Sequence, residues 1–134
     1  MRIGYLNIFI ILNISTVFKT IYMKELTLTG HSSVVNSVSF DNKGTLASGS
    51  WDNTIKLWKT RSDDFMETYT GDFIGTLIGH NGVVYSVSFD NKGILASGSR
   101  DKTIKLWDTT TGDLIRTLIG HESGVYSVSF DNKG

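Results

Sequence analysis

The chain has 134 residues, a formal net charge of zero and no cysteine. The lack of cysteine excludes a disulfide framework and a thiolate metal site. Residues 1–24 hold three basic residues and no acidic one, so residues 25–134 hold 10 basic and 13 acidic residues. This acidic excess argues against binding that depends on nucleic-acid phosphates, and no direct nucleic-acid partner is expected.

Residues 1–24 form an apolar N-terminal segment that does not resemble the rest of the chain. Residues 8–12 are a continuous apolar run, but Asn13, Ser15 and Lys19 follow within a few positions. A membrane helix needs about 20 mainly apolar residues. Two interpretations stay open: degenerate β-strands over 8–12 and 14–18, or a signal peptide or membrane anchor.

Residues 25–134 read as a series of short β-strands separated by turns. Val38 and Phe40 alternate with Ser37 and Ser39, so each pair is expected on one face of its strand. Gly30-His31 and 41–44 are predicted turns, because Gly, Asp and Asn favour turn geometry. Strands are predicted at 25–29, 34–40, 45–50, 54–58, 73–78, 83–89, 94–99, 103–107, 114–119 and 125–130.

These strands belong to an internal repeat. Residues 30–58 read GHSSVVNSVSFDNKGTLASGSWDNTIKLW, and residues 79–107 read GHNGVVYSVSFDNKGILASGSRDKTIKLW. Residues 120–134, GHESGVYSVSFDNKG, begin a third copy. The third histidine follows the second by 41 residues, whereas the first interval is eight residues longer. We place the extra residues at 61–68, RSDDFMET, as an acidic loop that joins the third and fourth strands of the first repeat, at the end opposite the Gly-His turns.

The Gly-His openings, the repeat length and the closing Trp107-Asp108 resemble the WD40-repeat β-propeller family. The resemblance covers about residues 25–134, roughly two and a third repeats, and departs from the family pattern at Trp58-Lys59. It implies four-stranded antiparallel blades arranged around a channel. We therefore expect an all-β fold, an incomplete WD40-like propeller with two full blades. Orphan strands at 25–29 and 125–130 would flank them.

The resemblance also implies a hydrogen-bonded set of four side chains in each blade: His31, Ser48, Asp52 and Trp58 in the first, and His80, Ser97, Asp101 and Trp107 in the second. His121 would start a third set. His, Ser and Asp together suggest a hydrolase, but the set occurs twice and neither serine lies in a Gly-x-Ser-x-Gly elbow. We predict structural sets, no catalytic residue, no metal and no cofactor.

Partners of this family commonly bind the rim that carries the Gly-His turns. The matching positions vary between the repeats, and Trp51 in the first corresponds to Arg100 in the second. Trp, Tyr and Arg are enriched in binding hot spots. The candidate rim residues are Val34, Asn36, Trp51, Val83, Tyr85, Arg100, Gly124 and Tyr126. Tolerant turn positions with no partner would be the alternative.

The predicted function is a protein–protein interaction scaffold or adaptor in the cytoplasm, with other proteins as partners and no membrane contact unless residues 1–24 are an anchor. A propeller of this class has four to eight blades, so we expect a fragment of a larger propeller. The alternatives are the non-catalytic part of a larger enzyme or regulatory protein, or a truncated product without independent function. Self-association is a further expectation: two chains would close a six-bladed ring.

Overall fold

A computed structural model describes residues 4–9, 25–63 and 68–131 of the chain. These residues form ten β-strands and no helix, which confirms the all-β prediction, and they accordingly include no helix that could cross a membrane. The strands are β1 (Gly4–Phe9), β2 (Glu25–His31), β3 (Val35–Phe40), β4 (Thr45–Ser50), β5 (Ile55–Asp63), β6 (Thr68–Leu77), β7 (Val84–Phe89), β8 (Ile94–Ser99), β9 (Ile104–Asp108) and β10 (Leu114–Leu118).

Two antiparallel sheets of four strands carry the two complete repeats, as predicted. Blade one has the order β3-β4-β5-β6, and blade two has the order β7-β8-β9-β10. The turn from β3 to β4 forms because the Asp41 carboxylate accepts bonds from the amides of Lys43 and Thr45, at 2.8 and 2.6 Å. Gly44 completes this turn with φ at 82°, a conformation that favours glycine.

The main apolar core lies between the two blades. The small residues Ala47 and Gly49 of β4 allow β7 to come close, and a Cβ placed on Gly49 would lie 2.7 Å from Val84 Cγ1. On the inner strands, the amides of Val87 and Phe89 donate to the hydroxyls of two blade-one serines, Ser37 and Ser39, at 3.1 and 3.2 Å. The identical small-residue strands of the repeats are therefore packing surfaces.

A third, two-stranded sheet pairs β1 with β2 in antiparallel register. Leu28 of β2 packs against Leu46 and Trp58 of blade one and forms a second apolar cluster with them. The sequence predicted a strand at 8–12, but β1 begins at Gly4, and the predicted strand at 14–18 lies outside the described residues. The predicted turn at Gly30-His31 was also wrong, because β2 continues through His31.

The segment 125–130 was predicted as a strand, and the structure assigns none there. The segment nevertheless packs on blade two: the amide of Val125 donates to the carbonyl of Ser99 at 2.9 Å, and the amide of Val128 donates to Ser86 Oγ at 3.1 Å. The second of these bonds repeats the one between Val87 and Ser37. A ladder needs a neighbouring strand, and no described strand pairs with this segment.

The extra residues of the first repeat were predicted to form a loop at 61–68. Instead, β5 and β6 both lengthen and pair as far as Asp63 and Thr68. Only residues 64–67 are left between the strands, and they lie outside the described part of the chain. The prediction failed because Arg61, Ser62 and Asp63 have the polar character of a loop but pair through backbone atoms.

The close approach at Gly49 can be tested by adding one methyl group. We expect Gly49→Ala to lower the free energy of unfolding by about 1–3 kcal/mol, because a Cβ there would overlap Val84 and Val87. Gly75→Ala is the matched control, since a Cβ at that strand position meets nothing within 4 Å. Urea denaturation of both variants measures the difference, and equal stabilities would contradict close packing at Gly49.

Candidate functional site

In blade one, four side chains form a continuous hydrogen-bonded chain from a turn into the sheet. His31 Nδ1 lies 2.8 Å from Asp52 Oδ2, and His31 Nε2 lies 2.8 Å from Ser48 Oγ. Trp58 Nε1 donates to the same Ser48 Oγ at 2.9 Å. All these groups are satisfied when the imidazole carries its proton on Nδ1 and accepts the serine proton at Nε2.

Blade two repeats this arrangement with nearly the same distances. His80 Nδ1 lies 2.7 Å from Asp101 Oδ2, and His80 Nε2 lies 2.7 Å from Ser97 Oγ. Trp107 Nε1 donates to Ser97 Oγ at 2.8 Å. Strands β8 and β9 and the turn between them supply three of the four residues, and His80 arrives from the loop before β7.

Each set contains a threonine that the sequence analysis missed. Thr54 donates to Asp52 Oδ1 through its hydroxyl at 2.6 Å and through its amide at 3.0 Å. Thr103 makes the same two bonds to Asp101. The signal was present in the sequence as Asp-x-Thr in both turns, a spacing at which the carboxylate reaches the backbone two residues on.

The ionisation of these groups follows from burial and hydrogen bonding. Burial would raise the pKa of Asp101, but bonds from Thr103 and His80 and from backbone amides outweigh it and hold the pKa far below its ordinary value. The pKa of Asp52 is lowered in the same way, against the effect of burial, by Thr54 and His31. Burial lowers the pKa of His80, and the opposing contribution of Asp101 does not cancel it. At neutral pH the second set therefore holds a neutral imidazole against a carboxylate.

The His–Ser–Asp contacts resemble a hydrolytic triad, yet the serines are inaccessible. Ser48 and Ser97 are completely buried, and an indole N–H already occupies each hydroxyl oxygen. A nucleophile must reach its substrate, so these hydroxyls have no route to one. His121, which the sequence assigned to a third set, is exposed. Among the described residues, no group of three or more His, Asp or Glu side chains could hold a metal ion.

The candidate rim residues fall into two groups in the structure. In the first, exposed Trp51 donates through Nε1 to Asn36 Oδ1 at 2.9 Å, and Asn36 Nδ2 donates to the carbonyl of Val84 at 3.2 Å. These bonds fix the orientation of an indole that remains half open to solvent. Val34 is exposed nearby, and its carbonyl accepts the amide of Trp51 at 2.9 Å.

The second rim group centres on two stacked tyrosines. The rings of Tyr85 and Tyr126 lie 4.7 Å apart with an interplanar angle of 27°. Gly124 lies beside them, and a Cβ placed on it would lie 3.4 Å from the Arg100 Cα and from the Tyr85 ring. Arg100 is exposed, and Val83, whose carbonyl accepts the amide of Arg100 at 2.9 Å, is half-buried.

Comparison with known proteins agrees with this geometry. The family described as "WD domain, G-beta repeat" matches the chain at residues 23–59, 71–108 and 112–134. The chain belongs to the WD40-repeat family, as the resemblance implied.

Two curated relatives match short segments. The chain is 54% identical over 33 residues to periodic tryptophan protein 2 homolog from Schizosaccharomyces pombe, a match that covers 24% of the chain and 4% of that protein. It is 39% identical over 46 residues to ribosome biogenesis protein WDR12 homolog from Nematostella vectensis, covering 34% of the chain and 11% of that protein. The matches thus span a small part of each relative.

The carboxylate of the second set can be removed by Asp101→Ala. We expect a loss of about 2–4 kcal/mol in the free energy of unfolding, because His80 Nδ1–H, the Thr103 hydroxyl and two backbone amides lose their acceptor. Asp113→Ala is the control, since Asp113 is exposed and its side chain makes no described hydrogen bond. If chemical denaturation gave both variants the stability of the unchanged chain, Asp101 would have no structural role.

Acid should destabilise the fold in two stages. The pKa of His80 is lowered on folding, so below its ordinary value of 6.5 the unfolded chain binds the proton first and stability falls. The pKa values of Asp52 and Asp101 are also lowered, so a second loss follows as the pH falls through the ordinary aspartate value of 3.8. We expect the free energy of unfolding to decrease from about pH 8 to about pH 5, and less steeply in His80→Gln. A stability that rises on acidification would contradict the neutral, buried imidazole.

Proposed function

We propose that this protein is a non-catalytic scaffold that binds a protein partner through the rim carrying Trp51, Tyr85, Arg100 and Tyr126. The observation that carries the proposal is the contrast within the repeat. The buried sets are the same in both blades, whereas the exposed rim position is Trp51 in one and Arg100 in the other. Packing inside the blades explains why the buried residues are identical, but it does not explain why the exposed rim residues differ.

The rim has the features of a protein-binding surface. Trp51 is held in place by Asn36, and Tyr85 is held by stacking on Tyr126, so these rings lose little freedom when a partner binds. Arg100 supplies a guanidinium that can pair with a carboxylate or stack on an aromatic ring. Aromatic residues and arginine are the types that carry most binding energy at interfaces.

An open depression of about 310 Å³ lies on the same rim, between the two blades. Polar groups line it, among them Asn53 of blade one, Asn81 before β7, and Arg100 of blade two. A side chain of the partner with hydrogen-bonding groups would fit this lining. Trp51 is bonded to Asn36, which donates to Val84 across the junction between the blades, and Arg100 lines the depression at that junction. One partner segment crossing the junction could therefore contact Trp51 and Arg100 together.

The setting of this activity is a separate proposal. One relative is named as a ribosome biogenesis protein, so proteins that assemble ribosomes are the first class of partner to test. The cytoplasmic location stays a prediction, as does the division of the chain at residue 24.

A peptide-display selection on the 134-residue chain would supply ligands for a quantitative test. We expect at least one of Trp51→Ala, Tyr85→Ala, Arg100→Ala and Tyr126→Ala to weaken a selected peptide by about tenfold or more, as measured by calorimetry. Ile115→Ala, an equally exposed apolar residue on outer strand β10, should bind like the unchanged chain. Full binding by all four rim variants would rule out the rim as the site.

A further inference from the structure

The exposed asparagines in the turns of this chain differ in the backbone amide that follows each of them. Among the described residues, four exposed asparagines lie outside the strands: Asn42, Asn53, Asn81 and Asn91. Asparagine is a thermolabile residue, because the backbone nitrogen of the next residue can attack its side-chain amide. The surroundings of that nitrogen therefore influence which asparagine reacts.

Three of the four asparagines are followed by an amide that is already hydrogen-bonded. The amides of Lys43 and Lys92 each donate to the carboxylate of the aspartate two residues before them, at 2.8 Å. The amide of Thr54 donates to Asp52 Oδ1 at 3.0 Å. Each of these bonds must break before the nitrogen can turn toward the asparagine side chain, so these three asparagines are protected by their own turns.

Asn81 is followed by Gly82, and both of the groups that would react are free. In the described part of the chain, neither the Asn81 side-chain amide nor the Gly82 backbone N–H makes a hydrogen bond. Other groups hold the loop: the backbone amide of Asn81 donates to Asp101 Oδ2, and the Gly82 carbonyl accepts the Ser99 hydroxyl, both at 3.0 Å. Glycine also has no Cβ to obstruct the approach of its nitrogen.

We infer that Asn81 is a modification site, at which the side-chain amide converts spontaneously to a carboxylate. The Gly82 nitrogen forms a bond to the side-chain carbonyl carbon of Asn81 and closes a cyclic imide. Ammonia leaves, made of the amide nitrogen with its two hydrogens and the proton from the Gly82 N–H. Water then adds to either carbonyl of the imide, and ring opening gives aspartate or isoaspartate. The reaction needs water and no other reagent.

The product changes the charge of the rim. Asn81 and Arg100 line the same open depression, so the new carboxylate would share it with the guanidinium. The chain, whose formal net charge is zero, would become negative. An acidic residue suits this repeat position, since the third repeat carries Glu122 there. Any effect on partner binding rests on the proposed function, whereas the reaction itself does not.

The rate of the reaction can be measured at each asparagine of the folded 134-residue chain. The protein is kept in mildly alkaline buffer, and samples are analysed by peptide mapping with mass spectrometry. Asn81 should convert at least about fivefold faster than Asn42, Asn53 or Asn91, because one retained amide hydrogen bond is worth about that factor in a barrier. Ion-exchange chromatography should show a more acidic form of the chain that accumulates at the same rate.

The variant Lys92→Gly separates the effect of the free amide from that of the glycine. It gives Asn91 the same following residue type as Asn81, and it keeps the backbone amide that donates to Asp90. In the folded variant Asn81 should still convert faster than Asn91, and in urea the two rates should become similar. Circular dichroism checks that the variant folds. Equal rates in the folded variant, a difference that persists unchanged in urea, or conversion of Asn81 no faster than that of Asn53 in the unchanged chain would overturn the inference.

Discussion

The arrangement of each blade depends on one serine hydroxyl that is completely removed from water. Ser97 can be buried because its oxygen accepts a hydrogen bond from the Trp107 indole N–H and its hydroxyl donates one to His80 Nε2. A buried polar group without such partners would cost about 1–3 kcal/mol. The imidazole needs an acceptor in turn, and Asp101 supplies it. The chain of bonds thus ties the two middle strands, β8 and β9, to the turn and the loop on the rim.

The same constraint links the interior to the rim. Asp101 is fixed by Thr103 and by the amide of Asn81, and Arg100 is its immediate neighbour. The side chain at position 100 therefore extends from a backbone segment that the hydrogen bonds of the buried set hold in place. The corresponding position in blade one carries Trp51, next to Asp52. Such a rigid backbone position is suited to binding, because its exposed side chain can differ between repeats while the buried set stays the same.

Sequence reasoning located the parts of the fold that are governed by local pattern. Strands β4 and β8 have their predicted bounds, and β3, β7 and β9 differ by one residue at one or both ends, because alternation and the Asp-Asn-Lys-Gly turns mark their limits. Sequence reasoning failed where backbone pairing alone determines how long a strand is, as in the lengthened hairpin of β5 and β6. It also failed at 125–130, where a strand pattern has no described neighbour to pair with. Thr54 and Thr103 were missed because the family comparison supplied four side chains, whereas the carboxylates take bonds from a fifth.

Burial could not be read from the sequence, since the repeats are nearly identical and their surroundings are not. Val38 and Val87 occupy the same repeat position, yet one is exposed and the other is packed between blades. The difference comes from which neighbour each strand has. The open positions lie on the blade ends and the varied residues lie on the rim, so the two surfaces are separate.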